Sequence, residues 1–333
     1  MNYDVFGIGN ALVDMEYEVS DAFITSNNIE KGMMTLVEED AQAKLITALE
    51  GDNRTAQKRQ CGGSAANSII GVSQFGGKSF YSFKVAGDDT GKFYLGDMKE
   101  NGVATKNKEE TLPSGTTGKC IVMVSEDAER TMHTFLGITG SLDETQIDEE
   151  ALKASKWLYV EGYLVASPTG NEAAIKAVKI AKENGVKTSF TMSDPNMVKF
   201  FKENMNTLIG DGLDLVFCNE QEAMEYTGAD NIEAAKEGLK KTAKTFVITL
   251  GDKGAVAFDG EKYIEIGSHA VKAIDSNGAG DMFAGAFLYG ITNGLDYKAA
   301  GELASLASSK VVSQFGPRLT ASQAKETLST FQG

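Results

Sequence analysis

The chain contains 333 residues, of which 42% are hydrophobic and 8% aromatic, the composition of a soluble globular protein. Its 47 acidic and 32 basic side chains give a formal net charge of −15. This charge argues against nucleic acid and against an anionic membrane as partners, because both require a basic surface.

A chain of this length predicts either one large α/β domain with an insertion or two domains. Its three cysteines, Cys61, Cys120 and Cys218, are far apart, odd in number and without metal-binding spacing. They predict reduced thiols in a cytoplasmic protein. Residues 1–4 lack the basic region and apolar core of a signal peptide, and no apolar run of about eighteen residues could span a membrane.

The first predicted strand is followed by polar side chains. Residues 3–9 predict a buried strand, after which come Asn10 and Asp14. An amide and a carboxylate at the carboxyl end of a strand can bind sugar hydroxyls, although both residue types also form turns and caps. No G-x-G-x-x-G follows this strand, which argues against an NAD-dependent oxidoreductase.

The next segments leave the predicted core and return to it. Residues 15–36 show no clear period, and residues 39–49 predict a helix. Gly62 and Gly63 then precede a run of small residues that opens a helix reaching residue 75. Glycines at a helix start allow a ligand to lie against unpaired N–H groups, although a tight turn with close helix packing has the same composition.

Two segments with alternating apolar and polar residues predict a β-hairpin. They are residues 116–124 and 130–136, with acidic residues between them. Together with residues 15–36, this hairpin predicts a small sheet over the strand ends of the main domain. Arg130 begins its second strand, and a lone surface arginine of this kind is usually solvated.

The second half of the chain alternates strands and helices, the pattern of a parallel sheet wrapped by helices. The predicted strands are 157–160, 188–192, 215–218 and 245–250, and the predicted helices are 171–184, 196–208 and 297–314. Thr320 and Gln323 have capping-box spacing before a last helix.

Asn219 and Glu222 directly follow the strand predicted over 215–218. They lie one helical turn apart and share a face, so both can point at one hydrated Mg²⁺, which keeps most of its waters when bound. The alternative is a helix cap. No Walker motif and no protein-kinase signature occur in the chain, which argues against both of those kinase classes.

Residues 270–274 predict a short strand, and Phe283, Phe287 and Ile291 recur at helical spacing after it. Between them lie the small residues Gly278, Ala279 and Gly280, followed by Asp281. A helix start carries unpaired N–H groups and a partial positive charge, which suit an anion. A carboxylate in the first turn can take a proton from an attacking hydroxyl, although a glycine-rich turn with a capping carboxylate has the same pattern.

Residues 275–288 resemble the C-terminal signature of the ribokinase-like (PfkB) family of carbohydrate and nucleoside kinases at every position, and residues 61–68 resemble its N-terminal signature. The resemblance covers nearly the whole chain. It implies a doubly wound, mostly parallel α/β sheet with a small β-sheet lid. The implied large domain comprises residues 1–14, 37–110 and 138–333, and the implied lid comprises residues 15–36 and 111–137.

The resemblance also implies roles for individual residues. The aspartate matching Asp281 is the catalytic base, Gly278, Ala279 and Gly280 form the anion hole, and Arg130 lies near the transferred phosphate. Segment 9–14 resembles the adenosine kinase branch, in which the residues matching Asn10 and Asp14 hold the ribose. The implied substrate-binding residues are Asn10, Asp14, Gly62, Gly63, Asn67, Tyr163 and Leu164. Adenosine kinases commonly stack an aromatic ring on adenine at the position of Leu164, so here the neighbouring Tyr163 is the available ring.

For the nucleotide, the resemblance implies an ATP site that includes Asn219, Thr249, Gly251 and Gly254. Glu222 would hold Mg²⁺ through water. Asp275 and Asn277, with the segment around Gly316, would enclose a potassium or similar ion through backbone oxygens.

The expected activity is ATP-dependent phosphorylation of the 5′-hydroxyl of a ribonucleoside, with adenosine converted to AMP. The alternatives are a ribose or fructose kinase, an inosine or guanosine kinase and, outside enzymes, a sugar- or nucleoside-binding sensor on the same fold. The intact Asp281 argues against the sensor. The expected cofactors are ATP, Mg²⁺ and K⁺, and the expected partners are small molecules acting on a monomer or homodimer.

Overall fold

The computed structural model describes residues 2–52, 54, 56, 58–127 and 129–332. In chain order its strands are β1 Tyr3–Ile8, β2 Leu12–Glu18, β3 Met34–Leu36, β4 Lys58–Gly62, β5 Ser79–Ser82, β6 Thr117–Val124, β7 Arg130–Gly137, β8 Ser155–Glu161, β9 Lys187–Thr191, β10 Leu213–Asn219, β11 Ala243–Thr249, β12 Ala255–Phe258 and β13 Tyr263–Ile266.

The helices lie mostly between the strands that they connect. They are α1 Asp21–Ser26, α2 Glu39–Gly51, α3 Ser64–Gln74, α4 Asp89–Glu100, α5 Glu149–Lys153, α6 Pro168–Glu183, α7 Pro195–Ile209, α8 Glu220–Thr227, α9 Ile232–Leu239, α10 Ala279–Thr292, α11 Tyr297–Val312 and α12 Ala321–Gln332. Within the described residues, no helix is both long and apolar enough to cross a bilayer.

Eight strands form the sheet of the main domain, hereafter the large sheet, in the order β13-β12-β11-β10-β9-β8-β1-β5. Six neighbouring strands run parallel, namely β11, β10, β9, β8, β1 and β5, and β12 and β13 add an antiparallel edge. Alternate residues of β1 enter opposite cores: Val5 packs with α3 and α10, and Phe6 packs with α6 and α7. Both faces are therefore covered by helices, and the predicted doubly wound sheet is confirmed.

The other five strands form the small sheet, in the order β3-β7-β6-β2-β4. Its central hairpin, β6 with β7, is antiparallel as predicted. Its outer face has its own core, formed by residues such as Tyr17, Leu45 and Met123, and α1 and α2 contribute to this core. The small sheet and its helices thus form a second layer above the large sheet.

The small sheet uses more of the chain than the predicted lid segment 15–36. It begins at Leu12, and it includes β4, which pairs antiparallel with β2 with Leu12 opposite Gly62. The sequence of β4, Lys-Arg-Gln-Cys-Gly, has no apolar alternation that would predict a strand. Its strand conformation depends on pairing with β2, a contact that the local sequence does not show.

The prediction of a strand over residues 270–274 is wrong. Residues 267–273 have no regular structure, and the edge of the large sheet is instead β13. Val271 and Ile274 are 45% and 39% exposed, so the apolar residues of this segment are not packed against the sheet. The N–H groups of Ile274 and Asp275 both donate to the carbonyl of Val312 at the end of α11, which replaces strand pairing.

Close packing of α3 against α10 positions the two glycine-rich motifs. Gly285 of α10 lies against the backbone of Ser68 in α3, and a Cβ at Gly285 would lie 2.4 Å from the Ser68 carbonyl oxygen. Only glycine permits this approach. The first turns of the two helices consequently lie side by side.

Candidate active site

A cavity of about 460 Å³ lies between the strand ends of the large sheet and the inner face of the small sheet. This is the size of a small-molecule site. Polar residues at the carboxyl ends of five parallel strands line it: Asn10 after β1, Glu161 of β8, Thr191 of β9, Asn219 of β10 and Thr249 of β11. Ligands of open α/β sheets bind at this edge.

Asp281 lies in the first turn of α10 and lines the cavity. Its carboxylate accepts hydrogen bonds from Ser64 Oγ at 2.6 Å and from Asn67 Nδ2 at 2.9 Å, both on α3. Burial raises the pKa of Asp281 to about 6, and the two hydrogen bonds act in the opposite direction. The carboxylate is therefore fixed in position and remains ionised at neutral pH, as a general base requires.

The side-chain amide of Asn67 uses its nitrogen as a donor to Asp281, but its oxygen is unused. Asn67 Oδ1 is buried, lines the cavity through its side chain and has no hydrogen-bond partner among the described residues. Because an unpaired buried acceptor is unfavourable, this oxygen is suited to receive a hydroxyl of a bound ligand.

The loop before α10 leaves the start of that helix open to the cavity. Gly278 is the N-cap, with φ of 74°, and a Cβ there would lie 2.3 Å from the carbonyl oxygen of Pro317. A Cβ at Gly280, in contrast, would meet no atom within 4 Å, so the helix start is open on this side. Gly278 and Gly280 line the cavity, whereas Ala279 is not among its lining residues.

The Asp275 carboxylate holds this loop through hydrogen bonds. It accepts hydrogen bonds from the N–H groups of Asn277 at 2.9 Å and Gly316 at 2.8 Å, and it pairs with the guanidinium of Arg130. Asn277 lines the main cavity, but Arg130 instead lines a neighbouring cavity of about 10 Å³. The structure thus brings Asp275, Asn277 and Gly316 together and places Arg130 beside the loop.

The residues predicted to bind a sugar meet at the amino end of α3. Asn10 donates from its backbone N at 3.1 Å and from Nδ2 at 2.9 Å to one oxygen of Glu161. Gly63 is the N-cap of α3 with φ of 102°, and a Cβ there would lie 2.4 Å from the Asn10 carbonyl oxygen. Asn10, Gly63 and Asn67 all line the cavity.

Asp14 of β2 also lines this end of the cavity. Burial raises its pKa to about 7, and the nearby Arg318 and Arg130 oppose this shift. Gly62 does not line the cavity itself. A Cβ at Gly62 would lie 2.4 Å from Asp14 Oδ1, so this glycine makes room for the Asp14 carboxylate.

Sequence reasoning missed Glu161. Its other oxygen accepts the N–H of Ala65 at 2.9 Å, so one buried carboxylate holds both Asn10 and the start of α3. Burial raises its pKa to about 7. The available signal was a carboxylate that directly follows the run Trp-Leu-Tyr-Val at the end of β8, immediately before Gly162.

Asn219 and Glu222 form a reciprocal capping box at the start of α8. Glu222 N–H donates to Asn219 Oδ1 at 2.8 Å, and Asn219 N–H donates to Glu222 Oε2 at 2.9 Å. Both side chains line the cavity, and burial raises the pKa of Glu222 to about 7. Among the described residues, no group of three or more His, Cys, Asp or Glu side chains is arranged to hold a metal, so an ion here would depend on water and ligand oxygens.

Three further predicted residues, Leu164, Gly251 and Gly254, also lie outside the cavity lining. Leu164 is 1% exposed and packs in the core beneath α6 and α7, because the short helical turn after β8 directs it away from the cavity, whereas Tyr163 lines it. Gly251 and Gly254 form the turn between β11 and β12. A Cβ at Gly254 would lie 2.1 Å from the Ile266 carbonyl oxygen, so the close approach of the two backbones requires glycine at this position.

The small sheet contributes a mostly apolar wall that sequence reasoning also missed. The wall residues, hereafter the lid wall, are Leu12, Met34, Leu36, Met132 and Leu136, with Cys120 and Thr134 between them. They come from four strands whose inner faces meet only after the sheet has formed. Their alternation in the sequence indicated a buried face without indicating what that face covers.

Comparison with known proteins gives consistent matches. A family model described as pfkB family carbohydrate kinase matches residues 34–324. The crystal structure of adenosine kinase from Sinorhizobium meliloti is 32% identical, with a TM-score of 0.89, over 98% of this chain and 100% of that chain.

Two curated proteins differ in the substrate that their names give. A 5-dehydro-2-deoxygluconokinase from Clostridium botulinum is 29% identical over 77% of this chain and 79% of its own length. The adenosine kinase of Dictyostelium discoideum is 26% identical over 97% of this chain and 98% of its own length.

Proposed function

Because the chain belongs to the pfkB family of carbohydrate kinases, whose members phosphorylate hydroxyl groups with ATP, we propose that it phosphorylates the 5′-hydroxyl of a ribonucleoside, adenosine first among them. One observation carries this choice of acceptor. The described lining of the main cavity includes five carboxylates, Asp14, Glu161, Asp194, Glu222 and Asp281, and no lysine, arginine or histidine.

The acidic groups at the Asp14 and Glu161 end of the cavity favour an uncharged acceptor there, whereas the charge of the nucleotide would be balanced by Mg²⁺ and by the open start of α10. A sugar acid such as 5-dehydro-2-deoxygluconate brings a carboxylate, which would lie among these acidic groups without a cation in the described lining to pair with it. Burial of an unpaired charge is strongly unfavourable. A nucleoside carries hydroxyls and an uncharged base, and it meets no such penalty.

The ribose is proposed to lie between β2 of the small sheet and the amino end of α3. The Asp14 carboxylate accepts hydrogen bonds from its vicinal hydroxyls, and the unpaired Asn67 Oδ1 accepts another. Asn10, held by Glu161, presents its side chain to the same region. The base then lies against the lid wall, with Tyr163 as the aromatic ring available for contact.

The transfer step is proposed to depend on Asp281. The 5′-oxygen of the acceptor forms a bond to the γ-phosphorus of ATP, the bond from that phosphorus to the β,γ-bridging oxygen breaks, and the hydroxyl proton moves to Asp281. The open helix start at Gly278 and Gly280 directs backbone N–H groups at the charge on the phosphoryl oxygens. Hydrogen bonds from Ser64 and Asn67 hold the Asp281 carboxylate in position throughout the transfer.

The nucleotide and the metal are proposed to occupy the remaining part of the cavity. Gly280 leaves space at the helix start for a phosphate, and Thr249 and Asn219 line the adjacent strand ends. Mg²⁺ supplies positive charge to the phosphates when bound, and Glu222 and Asn219 are the residues proposed to hold its waters.

A coupled assay of ADP formation tests this proposal. The acceptors are adenosine, guanosine, inosine, 2′-deoxyadenosine, ribose, fructose and 5-dehydro-2-deoxygluconate. We expect adenosine to give the highest kcat/KM and 2′-deoxyadenosine to be poorer by about 10²–10⁴, since a site built to bond a hydroxyl leaves polar groups unpaired without it. Turnover of the sugars or the sugar acid with no nucleoside turned over would reject the nucleoside assignment.

The Asp14→Ala variant tests whether Asp14 is the source of the preference for adenosine over 2′-deoxyadenosine. It should lower kcat/KM for adenosine far more than for 2′-deoxyadenosine, so that the ratio approaches one. Asp14→Asn, which keeps an acceptor oxygen of the same shape, is the matched control and should retain part of the ratio. An unchanged ratio in Asp14→Ala would place hydroxyl recognition elsewhere.

A further inference from the structure

The ion pair between Arg130 and Asp275 connects the two sheets at the phosphate-binding loop. Arg130 begins β7 of the small sheet, and Asp275 precedes α10 of the main domain. Their side chains are 15% and 1% exposed, so the pair is largely removed from water. The same guanidinium lies 3.5 Å from a carboxylate oxygen of Glu16 in β2.

The hydrogen bonds of Asp275 leave little room for another cation. Its Oδ2 accepts both the Gly316 N–H, at 2.8 Å, and Arg130 Nη2, which fills the two acceptor sites of that oxygen. Its Oδ1 accepts the Asn277 N–H at 2.9 Å. The carboxylate is thus occupied by two backbone donors of the loop and by one guanidinium.

The family resemblance implies a potassium or similar ion held by backbone oxygens at this position, but the Asp275 carboxylate that would balance its charge is already paired with Arg130. A monovalent cation would share the Asp275 carboxylate with a guanidinium that stays charged at every physiological pH. Two cations on one buried carboxylate repel each other strongly, because little water screens them. Arg130 also contacts Glu16, but that carboxylate lies farther away and is 16% exposed, whereas Asp275 is 1% exposed, so the guanidinium supplies its positive charge chiefly to Asp275.

We propose that the Arg130 guanidinium takes the place of a monovalent cation at Asp275. It neutralises the carboxylate that holds the Asn277 and Gly316 N–H groups, and so it keeps the loop from 277 to 280 in its anion-binding shape without potassium. Arg130 acts through Asp275 and is therefore a positioning residue. The inference rests on the kinase activity of the family and does not depend on which acceptor is used.

The arrangement has a structural consequence. Since the cation belongs to the small sheet, the loop is complete only when that sheet lies over the cavity. A free ion would not impose this condition. The shape of the phosphate site and the position of the small sheet are therefore coupled through one side chain.

The test compares KCl with choline chloride at constant ionic strength, in the full-length protein. One readout is ADP formation with adenosine, and the other is the midpoint of thermal unfolding, which needs no acceptor. For the unmodified protein we expect the rates in KCl and in choline chloride to differ by less than about twofold. The Tm values in the two salts should agree within experimental error. Several-fold activation by KCl, or a Tm raised specifically by KCl, would overturn the proposal.

Arg130→Met is the informative variant because it keeps the aliphatic stem and removes the charge. Its rate in choline chloride should fall by roughly tenfold or more, since Asp275 is left as an unpaired buried charge. KCl should then restore much of the rate and raise the Tm. A variant that loses activity but responds to KCl as the unmodified protein does would also contradict the proposal.

Two further variants make the result independent of the folding of Arg130→Met. Arg130→Lys keeps a positive charge and should remain insensitive to potassium. Arg59→Met removes another arginine of the small sheet, which stacks 4.4 Å from the Phe93 ring and is not among the partners of Asp275, and it should leave the potassium response unchanged. If adenosine is not a substrate, the Tm comparison still decides the question, so failure of this inference and failure of the acceptor assignment can be told apart.

Discussion

The two walls of the main cavity present different kinds of side chain. On the side of the large sheet, Asp281 accepts a hydrogen bond from Asn67 at 2.9 Å and a shorter one from Ser64. Asn10 donates two hydrogen bonds to Glu161, at 3.1 and 2.9 Å. On the small sheet, the lid wall consists mainly of methionine and leucine, and Leu36 is 55% exposed.

This difference separates two tasks. Hydrogen bonds are directional, so the polar wall fixes atoms to within a fraction of an ångström, which proton transfer and hydroxyl recognition require. Methionine is flexible and its contacts are not directional, so the lid wall can adjust to different apolar groups. Substitutions on the polar wall should therefore have large effects on rate, and substitutions on the lid wall should have small effects on selectivity.

The largest effect is expected for Asp281→Asn, which keeps the shape and the contact with Ser64 but cannot accept the acceptor proton. kcat should fall by about 10²–10⁴, the usual contribution of a general base. ATP affinity, measured by titration calorimetry, should stay near that of the unmodified protein. Near-normal turnover would remove Asp281 from the mechanism.

The pH dependence sharpens this prediction. Because burial raises the Asp281 pKa to about 6, kcat at saturating acceptor and Mg²⁺ should fall as the pH decreases below that value, where the carboxylate becomes protonated and cannot act as a base. Ser64→Ala removes a hydrogen bond that favours the ionised form, so it should move this acid limb to higher pH. An acid limb that is identical in the two proteins would contradict the assignment.

An intermediate effect is expected for Glu222→Gln, also on the polar wall. Glutamine can form the same capping box with Asn219, so the Tm should change little, while the charge that would hold the waters of Mg²⁺ is lost. The Mg²⁺ concentration for half-maximal rate should rise by about tenfold or more. A magnesium titration that matches the unmodified protein would reduce the pair to a helix cap.

The smallest effect is expected on the lid wall. Met132→Leu conserves volume, so kcat should change by less than about threefold, while the ratio of kcat/KM for adenosine to that for guanosine should shift within about tenfold. Met123→Leu is the matched control, because it lies in the same sheet but faces the outer core. A loss of rate in Met132→Leu comparable to that of Asp281→Asn would mean that the two walls do not divide the work in this way.

Much of the fold followed from local patterns. The parallel strands, the hairpin from 117 to 137 and the helix starts at Ser64 and Ala279 were predictable because periodicity and glycine placement act within a few residues. Asn10, Asp14, Gly63 and Asp281 were singled out by their positions at the ends of predicted elements, and Asn67 by the family resemblance; the structure groups all five in one cavity. Their chemical roles remain predictions.

Errors arose where the structure of a segment depends on a distant partner. Residues 270–274 have the apolar composition of a strand, but no neighbouring strand pairs with them, and β4 has a polar composition yet pairs with β2. Pairing of this kind is decided by the arrangement of other elements, which no local window contains.

The sequence by itself therefore determined the family, the sheet with its helices and the residues around the two glycine-rich motifs, since each depends on short-range constraints. Only the tertiary structure decided that Glu161 supports Asn10, that methionines of the small sheet face the cavity and that Arg130 neutralises Asp275. Asp281 and Ser64 are 217 positions apart in the chain, and Arg130 and Asp275 are 145 apart. Such contacts exist because separately formed helices and strands pack against each other, and packing is a property of the whole chain.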